Sequence, residues 1–287
     1  MPRGIMPRRP SRSGRQDKVS DPANRAKARI AVSRPSKGSL GGAPSSAARA
    51  EKTSHKAAVA TKRYNPLAPQ RVNEILKRLD ERYPDVTCAL HHSSAWELLV
   101  ATILSAQCTD VRVNLVTPVL FKKYPTPDAF AALKPEDLQD DIRTTGFFRN
   151  KAKSLVGAAR KIISDFGAEV PRTMADLLQI PGVARKTANV VLGTWYHIAD
   201  GVVVDTHVQR ISRRLELTRN IEPQKIEQDL MKVIPRERWI LFSHQVIHHG
   251  RALCIARNPK CADCPLETLC HAADKTWSTV DVHKGAK

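Results

Sequence analysis

The sequence predicts an all-α fold, and three observations carry that prediction. From Gln70 onward apolar residues recur at helical spacing, no run alternates for long enough to make a sheet, and proline and glycine break the chain at short intervals. Val72, Ile75, Leu76 and Leu79 form the first apolar stripe, on a helix closed by Pro84. Pro125, Pro135 and Gly146 divide the next stretch into short segments. Ala152, Leu155, Val156, Ala159, Ile162 and Ile163 form a longer stripe that ends at Gly167. Residues 173–180 read as a short helix stopped by Pro181-Gly182, with a new helix restarting at Arg185. Residues 202–204 are too few for a strand, and a helical run through Ile211 and Leu215 follows Asp205. Ile226, Leu230 and Val233 form the last stripe, before Pro235. The pattern amounts to about ten short helices with no internal repeat.

A chain of 287 residues that is 41% apolar can bury one large core or two moderate ones. Its charge is uneven. The first 63 residues hold 16 Lys and Arg against 3 Asp and Glu, which is +13 of the formal +19. No aromatic residue precedes Tyr64 and large aliphatics are few. Residues 1–66 therefore read as a disordered basic tail, suited to polyanions. Neither a secretory apolar core nor a bilayer-spanning run is present, so the expectation is a soluble intracellular protein, cytoplasmic and nucleoid-associated, with no membrane partner. An Arg-rich, Ser-containing, acid-poor N-terminus also fits an organelle transit peptide, and organelle targeting stays open.

Cys254, Cys261, Cys264 and Cys270 put four thiols within 17 residues, while Cys88 and Cys108 stand alone and read as small packed hydrophobes. In a chain without an export signal such a cluster points to metal ligation rather than disulfides. Structural zinc commonly uses two separated knuckles. Here one Cys-x2-Cys has its partners nested close on either side, which favours an iron-sulfur cube over zinc and leaves both open. Arg251, Arg257 and Lys260 crowd the same stretch and could offer a rigid basic face to phosphates.

The run QIPGVARKTANVVLGT, residues 179–194, is helix, tight turn, helix. The turn leaves backbone N–H groups at a helix start, where the macrodipole favours an anion such as a DNA phosphate. Lys186 falls in the first turn of the second helix, where the dipole and the neighbouring Arg185 both disfavour an ammonium, as a nucleophilic amine requires. A carboxylate partner comes from VVVDTHVQR, residues 202–210: Asp205 is placed to cap the next helix, and a capping carboxylate is fixed in direction, as stabilising a sugar-like cation requires.

The hairpin, the Val-Asp-Thr-His run and Cys-x6-Cys-x2-Cys-x5-Cys, in this order, resemble the endonuclease III family of helix-hairpin-helix DNA glycosylases and abasic-site lyases, over about residues 67–275. The resemblance implies a two-lobed all-α fold: a six-helix barrel with the hairpin at 88–198, and an iron-sulfur lobe built from 67–87 and 199–287. It makes Lys186 the nucleophile, Asp205 the catalytic aspartate and the four late cysteines ligands of a [4Fe-4S] cluster. Pro181, Gly182, Val183, Ala184 and Thr187 would bind DNA, although many members have Gly where this chain has Ala184. LSAQCTD, residues 104–110, matches the family's LSAQATD and gives Gln107 the gap left by a flipped base. TTGFFRNKA, residues 144–152, matches the loop that wedges into the duplex, with Phe147 where an aliphatic is usual. Ser105, Thr109, Asp110 and His207 are candidate pocket residues by position.

The implied activity is removal of oxidised pyrimidines from double-stranded DNA, by a monomer, through a Lys186 Schiff base and β-elimination at the abasic site. A monofunctional mismatch glycosylase of the same superfamily would use water and need no lysine at 186, and would be expected to carry a further C-terminal domain beyond the 17 residues that follow Cys270. A non-catalytic iron-sulfur DNA-binding or sensor protein would need neither Lys186 nor Asp205. A zinc-stapled nucleic-acid module would be colourless.

Overall fold

The computed structural model describes residues 64–279, all within one compact unit. The tail expected at 1–66 therefore lies outside the described residues except for Tyr64, Asn65 and Pro66. These three are held in place: the Tyr64 hydroxyl donates to Glu216, its ring lies 4.4 Å from that of His271, and Arg71 Nη1 donates to the Pro66 carbonyl at 2.7 Å.

The described residues form eleven α-helices and no strand. They are α1 (Pro69–Arg82), α2 (Ala95–Leu104), α3 (Asp110–Lys123), α4 (Pro127–Ala131), α5 (Pro135–Gln139), α6 (Phe148–Phe166), α7 (Met174–Leu177), α8 (Arg185–Thr194), α9 (Thr206–Arg214), α10 (Pro223–Val233) and α11 (Trp239–Ala252). Seven of these, α2 to α8, occupy the stretch for which the resemblance implies six, and three of the seven have five residues or fewer. Among the described residues no helix is long and apolar enough to cross a membrane.

Two separate cores explain the packing. In the first, α2 is apolar almost all round, with every residue but Glu97 buried, so it can only sit in the middle of a ring of helices. Helices α3, α6 and α8 pack around it, and α4 and α5 close over α6. This core draws on residues from Leu90 to Leu192. The second core joins the α1 stripe to Val202, Val208, Ile211, Ile226, Leu230, Phe242, Val246 and Leu266. Helix α1 thus reaches across the sequence to α11, and polar ties fix it: Gln245 Nε2 donates to Asp80 Oδ1 at 2.9 Å, and Arg78 Nη1 to the Pro265 carbonyl at 2.9 Å.

One buried carboxylate locks the two cores together. Glu227 of α10, 5% exposed, accepts from Asn189 Nδ2 and Arg185 Nε of α8, both at 2.8 Å. A Cβ on Gly201 would lie 2.0 Å from its Oε1, so only glycine lets the chain pass beside it.

Candidate active site

The cleft between the two cores opens into a cavity of about 230 Å³. Lys186 and Thr187 enter it from the first turn of α8, Asp205 from the residue before α9, and Ser105 and Gln107 from the turn after α2. Helix α11 supplies another wall with Ser243, His244, Ile247, His248 and Arg251, and Cys88 and Asp110 are also among the lining residues. Three residues from three separate motifs, Lys186, Asp205 and Gln107, thus meet at one place.

Asp205 does two things there. Its Oδ1 accepts the backbone N–H groups of His207 and Val208, both at 2.8 Å, and so caps α9. The capping bonds fix the plane of a carboxylate that also faces the cavity. Arg185, expected to act on Lys186 by its charge, is instead turned onto Glu227. Its role is structural.

The hairpin turn has the geometry that an anion site requires. Gly182 has φ +82°, the left-handed region, and a Cβ there would sit 2.6 Å from Ser154 Cβ on α6. Val183 is buried as the anchor of the turn, while Pro181, Gly182 and Ala184 are exposed. Ala184 takes φ −97° and ψ 169°, open to any residue, so its departure from glycine costs the turn nothing. It makes no side-chain cap, which leaves the first N–H groups of α8 for an outside acceptor. Phe147, 62% exposed, projects from the N-cap of α6.

Comparison with known proteins identifies the family. The family model described as HhH-GPD superfamily base excision DNA repair protein matches residues 100–236. Over 204 residues the chain is 54% identical to the endonuclease III of Synechocystis sp., a match covering 71% of this chain and 93% of that one. The chain belongs to the endonuclease III family. It is 42% identical over 205 residues to the Escherichia coli (strain K12) protein of that name, covering 70% of this chain and 95% of the relative. A solved structure of a trapped endonuclease III–DNA covalent intermediate, the estranged-adenine complex, superposes with a TM-score of 0.68 at 42% identity, over 71% of this chain and 95% of that one. As an endonuclease III family member, the chain is a DNA glycosylase of base excision repair.

The second site of this endonuclease III relative is the cysteine loop. Cys254, Cys261, Cys264 and Cys270 all line one cavity, beside Arg214 and Lys275. Arg214 Nη1 donates to Cys254 Sγ at 3.2 Å, and His249 Nε2 stands 3.5 Å from Cys264 Sγ. Burial pushes the Cys264 thiol up to about 12, a cost that a bound cation removes. Among the described residues no group of three or more His, Cys, Asp or Glu is arranged to hold a metal ion. The other two cysteines pack against the barrel core as small hydrophobes, and Cys88 also touches the active-site cavity.

Several positions differ from the sequence reading. Ser105 and Asp110 line the cavity, but Thr109 and His207 do not. Thr109 caps α3, accepting from Arg112 N at 3.3 Å, and His207 packs on Gly250 with Arg210 Nη2 3.2 Å from its Nδ1. Arg251 is not on the cysteine loop: α11 continues through Ala252 and turns it into the cleft, where it pairs with Asp110. His244 and His248 were missed altogether. Burial first, then the neighbouring His248, pulls His244 down to about 4, so this wall of the cavity is a neutral imidazole near pH 7. Their spacing of four on a helix is the signal that could have paired them.

Proposed function

We propose that the chain is a bifunctional DNA glycosylase and abasic-site lyase that removes oxidised pyrimidines from duplex DNA. The observation that carries this reading is the convergence of Lys186 and Asp205 on one cavity with Gln107 at its edge. A base must leave the stack before its glycosidic carbon can be reached, and Gln107 and Phe147 are the exposed side chains placed to fill the gap and wedge the duplex. The phosphates beside the lesion would lie on the N–H groups of the hairpin turn. Lys186 Nζ attacks C1′, and the bond from C1′ to the base breaks with its electron pair on the departing base, which takes up a proton. Asp205 stabilises the positive charge that develops on the sugar. Ring opening leaves an iminium between Lys186 and C1′. Loss of a C2′ proton then expels the 3′ phosphate and cuts the strand.

A relative 42% identical has been trapped as a covalent intermediate with DNA, the kind of species that a protein amine forms. Wild-type protein is expected to become joined to a duplex holding one thymine glycol when borohydride is present, because borohydride reduces an iminium to a stable bond. Base release without any such product would favour a water nucleophile and the monofunctional reading.

The four cysteines are the proposed ligands of a [4Fe-4S] cluster. An all-thiol donor set suits iron-sulfur chemistry, and four thiols lining one cavity can offer one thiolate to each iron of such a cluster. When bound, the cluster holds the loop in shape and stands outside the reaction. Cys261→Ala is expected to bleach the broad visible absorption of the purified protein and to lower both its melting temperature and its affinity for duplex. A colourless wild type that contains zinc would overturn the cluster.

A further inference from the structure

Lys151 lies one turn into α6 and is 5% exposed. No carboxylate pairs with it among the described residues. Its Nζ donates instead to two carbonyls, Leu104 O and Thr145 O, both at 2.8 Å. Burying an ammonium without a counter-charge is costly, and a methionine would fill the same space, so packing does not account for it. What the two carbonyls have in common is where they lie. Leu104 is the last residue of α2, three before Gln107, and Thr145 is two before Phe147. Gln107 has φ +54° and Phe147 has φ +48°, a left-handed backbone that is costly for a residue other than glycine and persists only where its surroundings enforce it. The same helix carries Ser154 one turn further on, in contact with Gly182 of the hairpin. One face of α6 therefore touches all three loops that the proposed function places on DNA.

We propose that Lys151 is a positioning residue: by tying the end of α2 to the Thr145 turn, it fixes the separation of Gln107 and Phe147, so that gap-filling and wedging act as one rigid pair. The C-terminal carbonyl end of α2 carries the negative end of the helix dipole, which suits a cation. The idea rests on the reading that these two side chains enter the duplex.

The test uses full-length protein and two DNAs, a duplex with one thymine glycol and a single strand with a preformed abasic site. The first requires a base to be extruded and the second does not. Lys151→Met is expected to slow single-turnover base release from the duplex by roughly 10- to 100-fold, the range for a misplacement of about 1 Å. Borohydride trapping on the single strand should stay at the wild-type rate, and Phe147→Ala added to Lys151→Met should bring little further loss. Equal slowing on both DNAs would mean that Lys151 merely supports the fold, and an unaffected duplex rate would mean that it does nothing for extrusion. If the methionine variant fails to fold, Lys151→Gln, which keeps a donor, is judged by the same ratio. Fluorescence of 2-aminopurine beside the lesion reports unstacking without any chemistry: failure of the variants alone to raise it supports the role of Lys151, wild-type-like signals overturn it, and an inactive wild type counts against the functional reading alone.

Discussion

Lys186→Gln is expected to abolish base release, strand cutting and borohydride trapping on a thymine glycol duplex, with a loss of about 10⁴-fold or more, while still binding that duplex. The size follows from what is removed. Glutamine keeps a polar side chain, one atom shorter, at the first turn of α8 and leaves the hairpin, the Glu227 tie and the open N–H groups in place. Only the amine is lost, and no other lysine lines the cavity. Single-turnover kinetics and a binding isotherm on the same preparation separate the two effects. A variant that is trapped as well as wild type would move the nucleophile elsewhere.

Asp205 offers the second large effect, and its two jobs can be measured apart. Asp205→Asn is expected to slow base removal by about 10²- to 10³-fold, because the developing sugar cation loses its counter-charge. Asparagine caps helices as well as aspartate does, so the melting temperature should stay near wild type. Asp205→Ala removes both functions. It should match the asparagine variant in rate and lose a further ~1 kcal/mol of stability through the lost cap, or about 2–4 °C in Tm for a protein of this size. Both variants should still cut a preformed abasic site, where no glycosidic bond remains to be broken. Equal melting temperatures for the two variants would deny the cap, and an unimpaired Asp205→Asn would deny the catalytic role.

Much of this architecture was legible because the information is local. The α1 and α6 stripes and the cap at Asp205 each depend on a few neighbouring residues and recur in the structure within a residue or so, whereas the helix read over 173–180 shortens to α7, Met174–Leu177. What was not legible depends on contacts between distant segments. Arg251 stands three residues from Cys254, so proximity in sequence assigned it to the cysteine loop, whereas the last turn of α11 aims it at Asp110. His244 and His248 lie in a run that mixes apolar residues with Ser243, Gln245 and His249, and only docking of α11 against the barrel decides which side faces the cleft. The left-handed backbone at Gln107 and Phe147 had no glycine to announce it.

The ties across the cleft are of unequal kind. Glu227 is buried and each of its oxygens accepts a hydrogen bond from α8, so salt screens it little. Asp110 and Arg251 meet at the surface with side chains 21% and 42% exposed, where salt screens them and a polyanion can compete for the arginine. One tie across the cleft is thus buried and the other is open to solvent. A phosphate entering the cleft would compete with Asp110 for Arg251 and leave the Glu227 tie untouched. Lys186 follows Arg185 directly in the first turn of α8, so the proposed nucleophile rides on the turn that Glu227 holds.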